Sequence, residues 1–202
     1  MVDADGARSI YRNEQLGLDG FDDAARFLDW ARARDSDLVH GALPPCRIET
    51  LSEDLMRRTA KLAAESGVPV RLHALQGLLE RRLILDSFGV PPLQVLARIG
   101  LLGPKLLIPH GIYVNSKPLV AADTEADIAT LAASGTTVIH CPLTIARHGA
   151  ALDSFERYRA AGVPLALSTD SFPPRAQPPT WSPSDSTTPS TASWTIRSAP
   201  SV

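Results

Sequence analysis

The chain has 202 residues, 44% of them hydrophobic and 21% charged, with a formal net charge of −2 at pH 7. This is the composition of a soluble globular protein, and it argues against a basic nucleic-acid surface or a polybasic membrane anchor. No apolar run approaches the ~18 residues of a spanning helix, and the first residues do not resemble a signal peptide. Two cysteines, Cys46 and Cys141, suit a reducing compartment. We therefore expect a cytoplasmic α/β protein with neither a nucleic-acid nor a membrane partner.

Helical and extended patterns alternate along the chain up to Asp170. Amphipathic periodicity predicts helices over residues 21–34, 52–65, 76–87, 92–99, 124–133 and 151–161. The second of these has a serine cap at its start and a glycine just after its end. Apolar runs predict strands over residues 68–74, 105–110, 136–141 and 164–170, after an earlier short run, DLVHGALPPC. Such alternation is typical of parallel βαβ units.

Each apolar run contains or ends in a polar residue that is capable of chemistry. These residues are His40, His73, His110, His140 and Asp170, separated by 33, 37, 30 and 30 positions. A (β/α)₈ barrel of ~250 residues uses about 31 residues per unit and gathers its active site at the carboxyl ends of the strands. A single histidine at a strand end is more often structural, but five polar residues in phase favour a barrel. We predict a partial (β/α)₈ TIM barrel with about five βα units.

Imidazole and carboxylate groups that converge on one barrel mouth favour a divalent metal site. Neutral histidine and aspartate suit Zn²⁺ or Fe²⁺, and such a metal activates water as a nucleophile. The sequence lacks the motifs of a serine nucleophile, a Walker A loop or a dinucleotide site. The pair Pro45–Cys46 also fails to continue into the zinc motif of the nucleic-acid base deaminases.

Four sequence runs, in this order and spacing, resemble the amidohydrolase superfamily: RLHALQGLLE, LLIPHGIYV, TTVIHCPLT and LALSTDS. The branch they resemble comprises cytosine deaminase, guanine deaminase and triazine hydrolase, and the resemblance covers roughly residues 20–172. It implies the carboxyl-terminal part of a TIM barrel. It also implies a hydrolase that cleaves carbon–nitrogen bonds in a small, cyclic amine or amidine substrate.

The resemblance also implies roles for individual residues. His73 matches a metal-ligand histidine, and His110 matches the histidine that orients water or substrate. Asp170 matches the aspartate that binds the metal and moves the proton. His140 occupies a supporting position, for which a structural role is at least as good an interpretation. His148 lies in a loop where contact with solvent is the simpler interpretation.

The chain departs from the family pattern at the residue three positions after His73. The family usually has a glutamate there as a proton carrier, whereas this chain has Gln76, which forms hydrogen bonds but does not transfer a proton at neutral pH. Glu80 is a possible substitute, although we expect an exposed helix carboxylate at that position. His40 matches no family motif, and we expect it to be packed or bonded to the backbone.

A second departure concerns the metal ligands themselves. The family has a His-x-His pair on its first strand, and no such pair occurs in these 202 residues. We therefore expect a fragment with about half of a metal shell, whose activity alone is doubtful. The alternatives are a non-catalytic amidohydrolase remnant and an interaction module on a βα scaffold. An incomplete barrel exposes strand edges, so a homo-oligomer is a further possibility.

The composition changes after residue 170. Residues 171–202 comprise 8 serines, 5 threonines and 7 prolines among 32 positions, and no apolar periodicity continues there. A segment of this kind buries too little surface to offset its ordering entropy. We interpret residues 1–170 as the partial barrel, and residues 171–202 as a disordered tail or the product of a shifted reading frame.

Overall fold

A computed structural model describes residues 12–34, 36–114, 127–147, 149 and 151–170. His148 and the predicted tail, residues 171–202, lie outside these ranges. The elements, in chain order, are α1 (Glu14–Ala33), α2 (Glu53–Ser66), β1 (Val70–Arg71), α3 (Leu78–Phe88), α4 (Pro92–Ile99), β2 (Leu106–Pro109), α5 (Asp127–Ser134), β3 (Thr137–His140), α6 (Pro142–Arg147), α7 (Phe155–Ala160) and β4 (Leu165–Leu167). None of these helices is both long and apolar enough to cross a membrane.

The four strands form one parallel sheet in the order β1-β2-β3-β4. Val70 pairs with Leu106, Leu107 with Thr137, and Val138 with Leu165. Parallel neighbours need a crossover, and in each case helices connect one strand to the next. The predicted α/β class with parallel βαβ units is confirmed. All four strands end at the same edge of the sheet, so this edge collects the residues that follow them.

A fifth chain segment joins the sheet beside β1, but not where the sequence pattern placed it. Leu43 and Arg47 form parallel bridges to Val70 and His73, so the pairing runs over residues 43–47. The expectation that His40 ends a strand is therefore wrong. His40 precedes the paired segment, is exposed, and its Nε2 lies 2.9 Å from the carbonyl oxygen of Asp37. The alternative expectation of a backbone-bonded histidine is confirmed.

Helix boundaries follow local capping where the sequence shows a cap. The Ser52 side chain accepts a hydrogen bond from the Leu55 N–H at the start of α2, and left-handed Gly67 ends that helix, as predicted. Helix α1 begins seven residues before its predicted start, because Asn13 caps its first turn. Helix α6 was not predicted, since its six residues span too few turns to show a periodicity.

The core lies between the sheet and the helices. Val70, Leu72, Ile108 and Val138 are at most 3% exposed and pack with apolar residues of the surrounding helices. Side chains alternate between the two faces of a strand, so Arg71 and His73 lie on the opposite face from Val70 and Leu72. The helices therefore cover one face of the sheet, and the other face carries polar groups towards the strand ends.

A buried tyrosine connects α7 to the loop after β2. The Tyr158 hydroxyl donates a 2.6 Å hydrogen bond to the carbonyl oxygen of Gly111, and the side chain is fully buried. Gly111 has a positive φ, and a Cβ there would lie 2.8 Å from Cγ1 of Val138. This close packing fixes the backbone immediately after His110.

We expect Tyr158→Phe to lower the free energy of unfolding by about 1–3 kcal/mol, because the buried Gly111 carbonyl loses its partner. Equilibrium denaturation measures this loss. The control is Tyr113→Phe, which removes a hydroxyl from a half-buried tyrosine on the same loop. Equal effects of the two changes would contradict a specific role for the Tyr158 bond.

Candidate metal centre at the strand ends

Three residues from distant parts of the chain meet at the carboxyl edge of the sheet. His73 follows β1, His110 follows β2 and Asp170 follows β4. One potential ligand atom from each lies within 4.8 Å of those of the other two. Among the described residues, this is the one group of three or more His, Cys, Asp or Glu side chains that is suitably spaced for a metal ion.

The orientation of His73 leaves one ring nitrogen free for the site. Its Nδ1 lies 2.9 Å from the carbonyl oxygen of Cys46, which fixes Nδ1 as the N–H donor. Its Nε2 therefore carries a lone pair and lies 3.8 Å from Oδ1 of Asp170. A histidine ligand commonly has its second ring nitrogen bonded to a backbone carbonyl in this way. Burial lowers the pKa of His73, which favours the neutral form that a metal requires.

His110 is buried with neither ring nitrogen hydrogen-bonded to the described residues. Its Nε2 lies 3.3 Å from Oδ2 of Asp170 but without hydrogen-bond alignment. Burial is the main cause that holds its pKa below the usual value, against the opposing effect of Asp170. A buried polar atom without a partner costs about 1–3 kcal/mol, so these nitrogens are available to bond another group. The donor set, two neutral imidazoles and a carboxylate, fits Zn²⁺ or Fe²⁺.

Arg71 places a cation directly beside these three residues. Its guanidinium donates a 2.9 Å hydrogen bond to Oδ1 of Asp170, and both side chains are mostly buried. The partners are 99 residues apart in sequence; Arg71 lies in β1, and Asp170 lies three residues beyond β4. The sequence pattern did not identify Arg71, although its position two residues before His73 on an apolar strand was an available signal.

Unusual backbone conformations concentrate at the same edge. The described residues include four non-glycine residues with positive φ: Cys46, Leu75, His110 and Asp170. All four lie at or just beyond a strand end. A left-handed conformation costs an L-residue roughly 1–2 kcal/mol, and such strain is most common at functional sites. No sequence pattern predicts this feature, because the surrounding packing imposes it.

The turn after His73 differs from the expectation for Glu80. The carboxylate of Glu80 accepts hydrogen bonds from the N–H groups of Leu75 (2.6 Å) and Gln76 (3.0 Å), and it is only 2% exposed. The expected exposed helix carboxylate is therefore wrong, because Glu80 folds back to bond the turn that precedes its own helix. Burial, with a further contribution from Glu49, raises its pKa to about 7. Gln76 has a buried Oε1 without a hydrogen-bond partner in the described part of the chain.

His140 and Cys141 lie close to the site without joining the three converging residues. The ring of His140 packs against Phe155, with centroids 5.7 Å apart, and burial lowers its pKa. Cys141 is fully buried, and burial raises the pKa of its thiol to about 11. A free thiol with so high a pKa remains protonated at neutral pH, which does not favour nucleophilic attack.

The raised pKa of Glu80 predicts a pH-dependent stability. Its folded-state pKa of about 7 exceeds the reference value of 4.5, so the folded state retains a proton that the unfolded state releases between these values. The free energy of unfolding should therefore fall as pH rises from 4.5 through 7. Glu80→Gln removes this effect, so its stability relative to wild type should increase by on the order of 3 kcal/mol over that interval.

Denaturation at a series of pH values measures this difference. The control is Glu65→Gln, which changes an exposed carboxylate on α2 and should give a difference that varies little with pH. A pH-independent difference for Glu80→Gln would show that the buried carboxylate is ionised throughout.

Two proteins with sequences similar to this chain are deaminases. The 5-methylthioadenosine/S-adenosylhomocysteine deaminase of Halobacterium salinarum is 31% identical over 169 residues, covering 84% of this chain and 35% of that protein. The 8-oxoguanine deaminase of Pseudomonas aeruginosa is 30% identical over 167 residues, covering 83% and 31%. The chain thus spans about a third of the length of the curated relatives that it matches.

A solved deaminase structure has a fold similar to that of this chain. An adenosine deaminase from Xanthomonas campestris with bound zinc superposes with a TM-score of 0.64 and 28% identity, over 74% of this chain and 31% of that one. The predicted partial barrel is thereby confirmed. The model of the amidohydrolase family matches residues 23–185, which is most of the chain. The strand-end cluster, the parallel βα architecture and these matches agree, and the chain belongs to the amidohydrolase family.

Proposed function

We propose that this chain supplies part of the divalent-metal centre of a hydrolase that cleaves a carbon–nitrogen bond in a small cyclic amine or amidine. The convergence of His73, His110 and Asp170 at the strand ends carries this proposal. Neutral nitrogens and a carboxylate within 4.8 Å of one another are the donors that a catalytic zinc site uses. The three relatives named above, each described as a deaminase, support this reaction class.

His73 and Asp170 would hold the metal, and a metal bound there would supply a Lewis acid that activates water near neutral pH. The chain's own groups would then position the reactants. Asp170 would accept a proton from the attacking water, since it is the one carboxylate among the three converging residues. His110, whose neutral ring lies beside Asp170, would hold the attacked group or act as a third ligand. In the overall reaction, a carbon–oxygen bond replaces the carbon–nitrogen bond, and ammonia leaves.

The substrate class follows from the relatives and from one residue of the site. Two of these deaminases are named for purine compounds, and a third for adenosine. The buried Oε1 of Gln76 is an acceptor in need of a donor, which the N–H groups of an aminopurine would provide. We therefore propose an aminopurine or a similar heterocycle as the substrate, with Zn²⁺ as the metal and Fe²⁺ as the alternative.

A second candidate is a non-catalytic remnant of such a hydrolase. No His-x-His pair occurs in these 202 residues, and the described part of the chain brings three candidate ligands together. Gln76 stands where the family resemblance implies a proton-carrying glutamate. Both observations reduce the chemistry that the chain can perform alone, and metal content and turnover together decide between the two candidates.

The first test compares wild type with Asp170→Asn. We expect close to one zinc per chain in the purified wild-type protein, measured by elemental mass spectrometry, and ammonia release from a panel of aminopurines. Asp170→Asn should lose most of the metal and reduce turnover by at least about a hundredfold, because it removes both a ligand and the base.

The control for this test is Asp86→Asn, which changes an exposed carboxylate on α3 and should affect neither readout. Unchanged turnover in Asp170→Asn would contradict the proposed site. A folded wild-type protein that binds no metal and releases no ammonia would favour the remnant.

The second test restores the residue that the family resemblance implies. Gln76→Glu should increase deamination by about a hundredfold, because a glutamate beside the substrate carries a proton that glutamine cannot. The increase should appear mainly in kcat. The control is Gln94→Glu on α4, which introduces the same charge at an exposed position and should leave the rate unchanged. Equal rates for Gln76→Glu and wild type would place residue 76 away from the reacting atoms.

A further inference from the structure

The ion pair between Arg71 and Asp170 places a permanent cation at one of the two oxygens through which Asp170 could bind a metal ion. Arg71 donates to Oδ1 of Asp170 at 2.9 Å, and the free Nε2 of His73 lies 3.8 Å from that same oxygen. A guanidinium remains charged at any physiological pH, so this group does not leave by losing its proton. The Oδ1 atom therefore already has a strong, charge-assisted partner.

We propose that Arg71 sets the metal affinity of this site, with its guanidinium acting as the resident counter-ion of Asp170 that an incoming divalent cation must displace or oppose. This inference rests on the metal centre proposed above. It concerns a residue outside the three ligands and assigns a direction to its effect. Arg71 weakens metal binding.

Two further observations support this direction. Arg71 and Asp170 are 25% and 19% exposed, and a pair so shielded from water interacts more strongly than a surface pair. Arg71 also lies two residues before His73 on the same face of the strand segment, so its positive charge lies beside both the carboxylate and this imidazole. A positive charge so close to the converging side chains disfavours a divalent cation among them.

A role for Arg71 in orienting Asp170 would predict the opposite change in metal affinity. A group that bonds the outer oxygen of a ligating carboxylate can orient it, and loss of such a partner typically weakens metal binding by 10–100-fold. If Arg71 only oriented Asp170, its removal would weaken the site. The sign of the change in affinity therefore separates the two roles.

The experiment is a Zn²⁺ titration of the metal-free chain, followed by competition with a chromophoric chelator. Arg71→Met removes the charge but retains much of the side-chain length, and we expect it to bind Zn²⁺ at least about tenfold more tightly than wild type. Arg71→Gln, which retains a hydrogen-bond donor for Asp170, should change in the same direction. Arg71→Lys retains the charge and should remain close to wild type.

Two further variants complete the design. Arg57→Met removes an exposed arginine that pairs with Glu53 on α2 and should leave the affinity unchanged. Asp170→Asn tests the metal centre itself and should greatly weaken binding. Circular dichroism of each metal-free variant shows whether it is folded, and the titration uses those that are.

Equal or weaker Zn²⁺ binding by both neutral variants overturns the inference and leaves the metal centre standing. Unchanged binding by Asp170→Asn overturns the metal centre. Absence of binding in wild type and in both neutral variants overturns both proposals. Tighter Zn²⁺ binding by both neutral variants than by wild type supports the inference.

Discussion

The parallel pairing of β1 through β4 is the constraint on which the site depends. Because every strand runs in the same direction, the residues after β1, β2 and β4 are brought to a single edge, although they lie tens of positions apart in sequence. The ion pair between Arg71 and Asp170 then joins β1 to the segment that follows β4. An antiparallel arrangement would place alternate strand ends at opposite edges and would separate the same side chains.

The strand-end cluster lowers the stability of the fold, and packing in the core offsets this loss. Four non-glycine residues with left-handed backbones lie at the strand ends, and His110 is buried with unpartnered ring nitrogens. The packed side chains beneath the site, with the Tyr158 bond to Gly111, hold these conformations in place. Buried polar groups that remain unpaired are retained where another group completes their bonding, which is consistent with a site that receives a ligand.

The strand-end edge of this amidohydrolase-family chain differs from the family resemblance at one position and carries one further charge. Gln76, which only forms hydrogen bonds, stands where the resemblance implies a glutamate, and Arg71 places a cation on Asp170. A carboxylate does exist nearby, but Glu80 is bonded to the backbone of the turn after His73, so it serves that turn rather than the converging ligands.

The amino-acid sequence by itself determined the βα alternation, the approximate position of each sheet strand and the family, because apolar periodicity and strand-end motifs are local properties. It also indicated His73, His110 and Asp170, through the resemblance of their motifs to the family, whereas the βα phase alone did not separate them from His40 and His140. Only the tertiary structure decided that pairing beside β1 begins after His40, that Glu80 is buried, and that Arg71 reaches Asp170 across 99 residues. These outcomes depend on side-chain direction and on contacts between distant segments. No window of neighbouring residues contains that information.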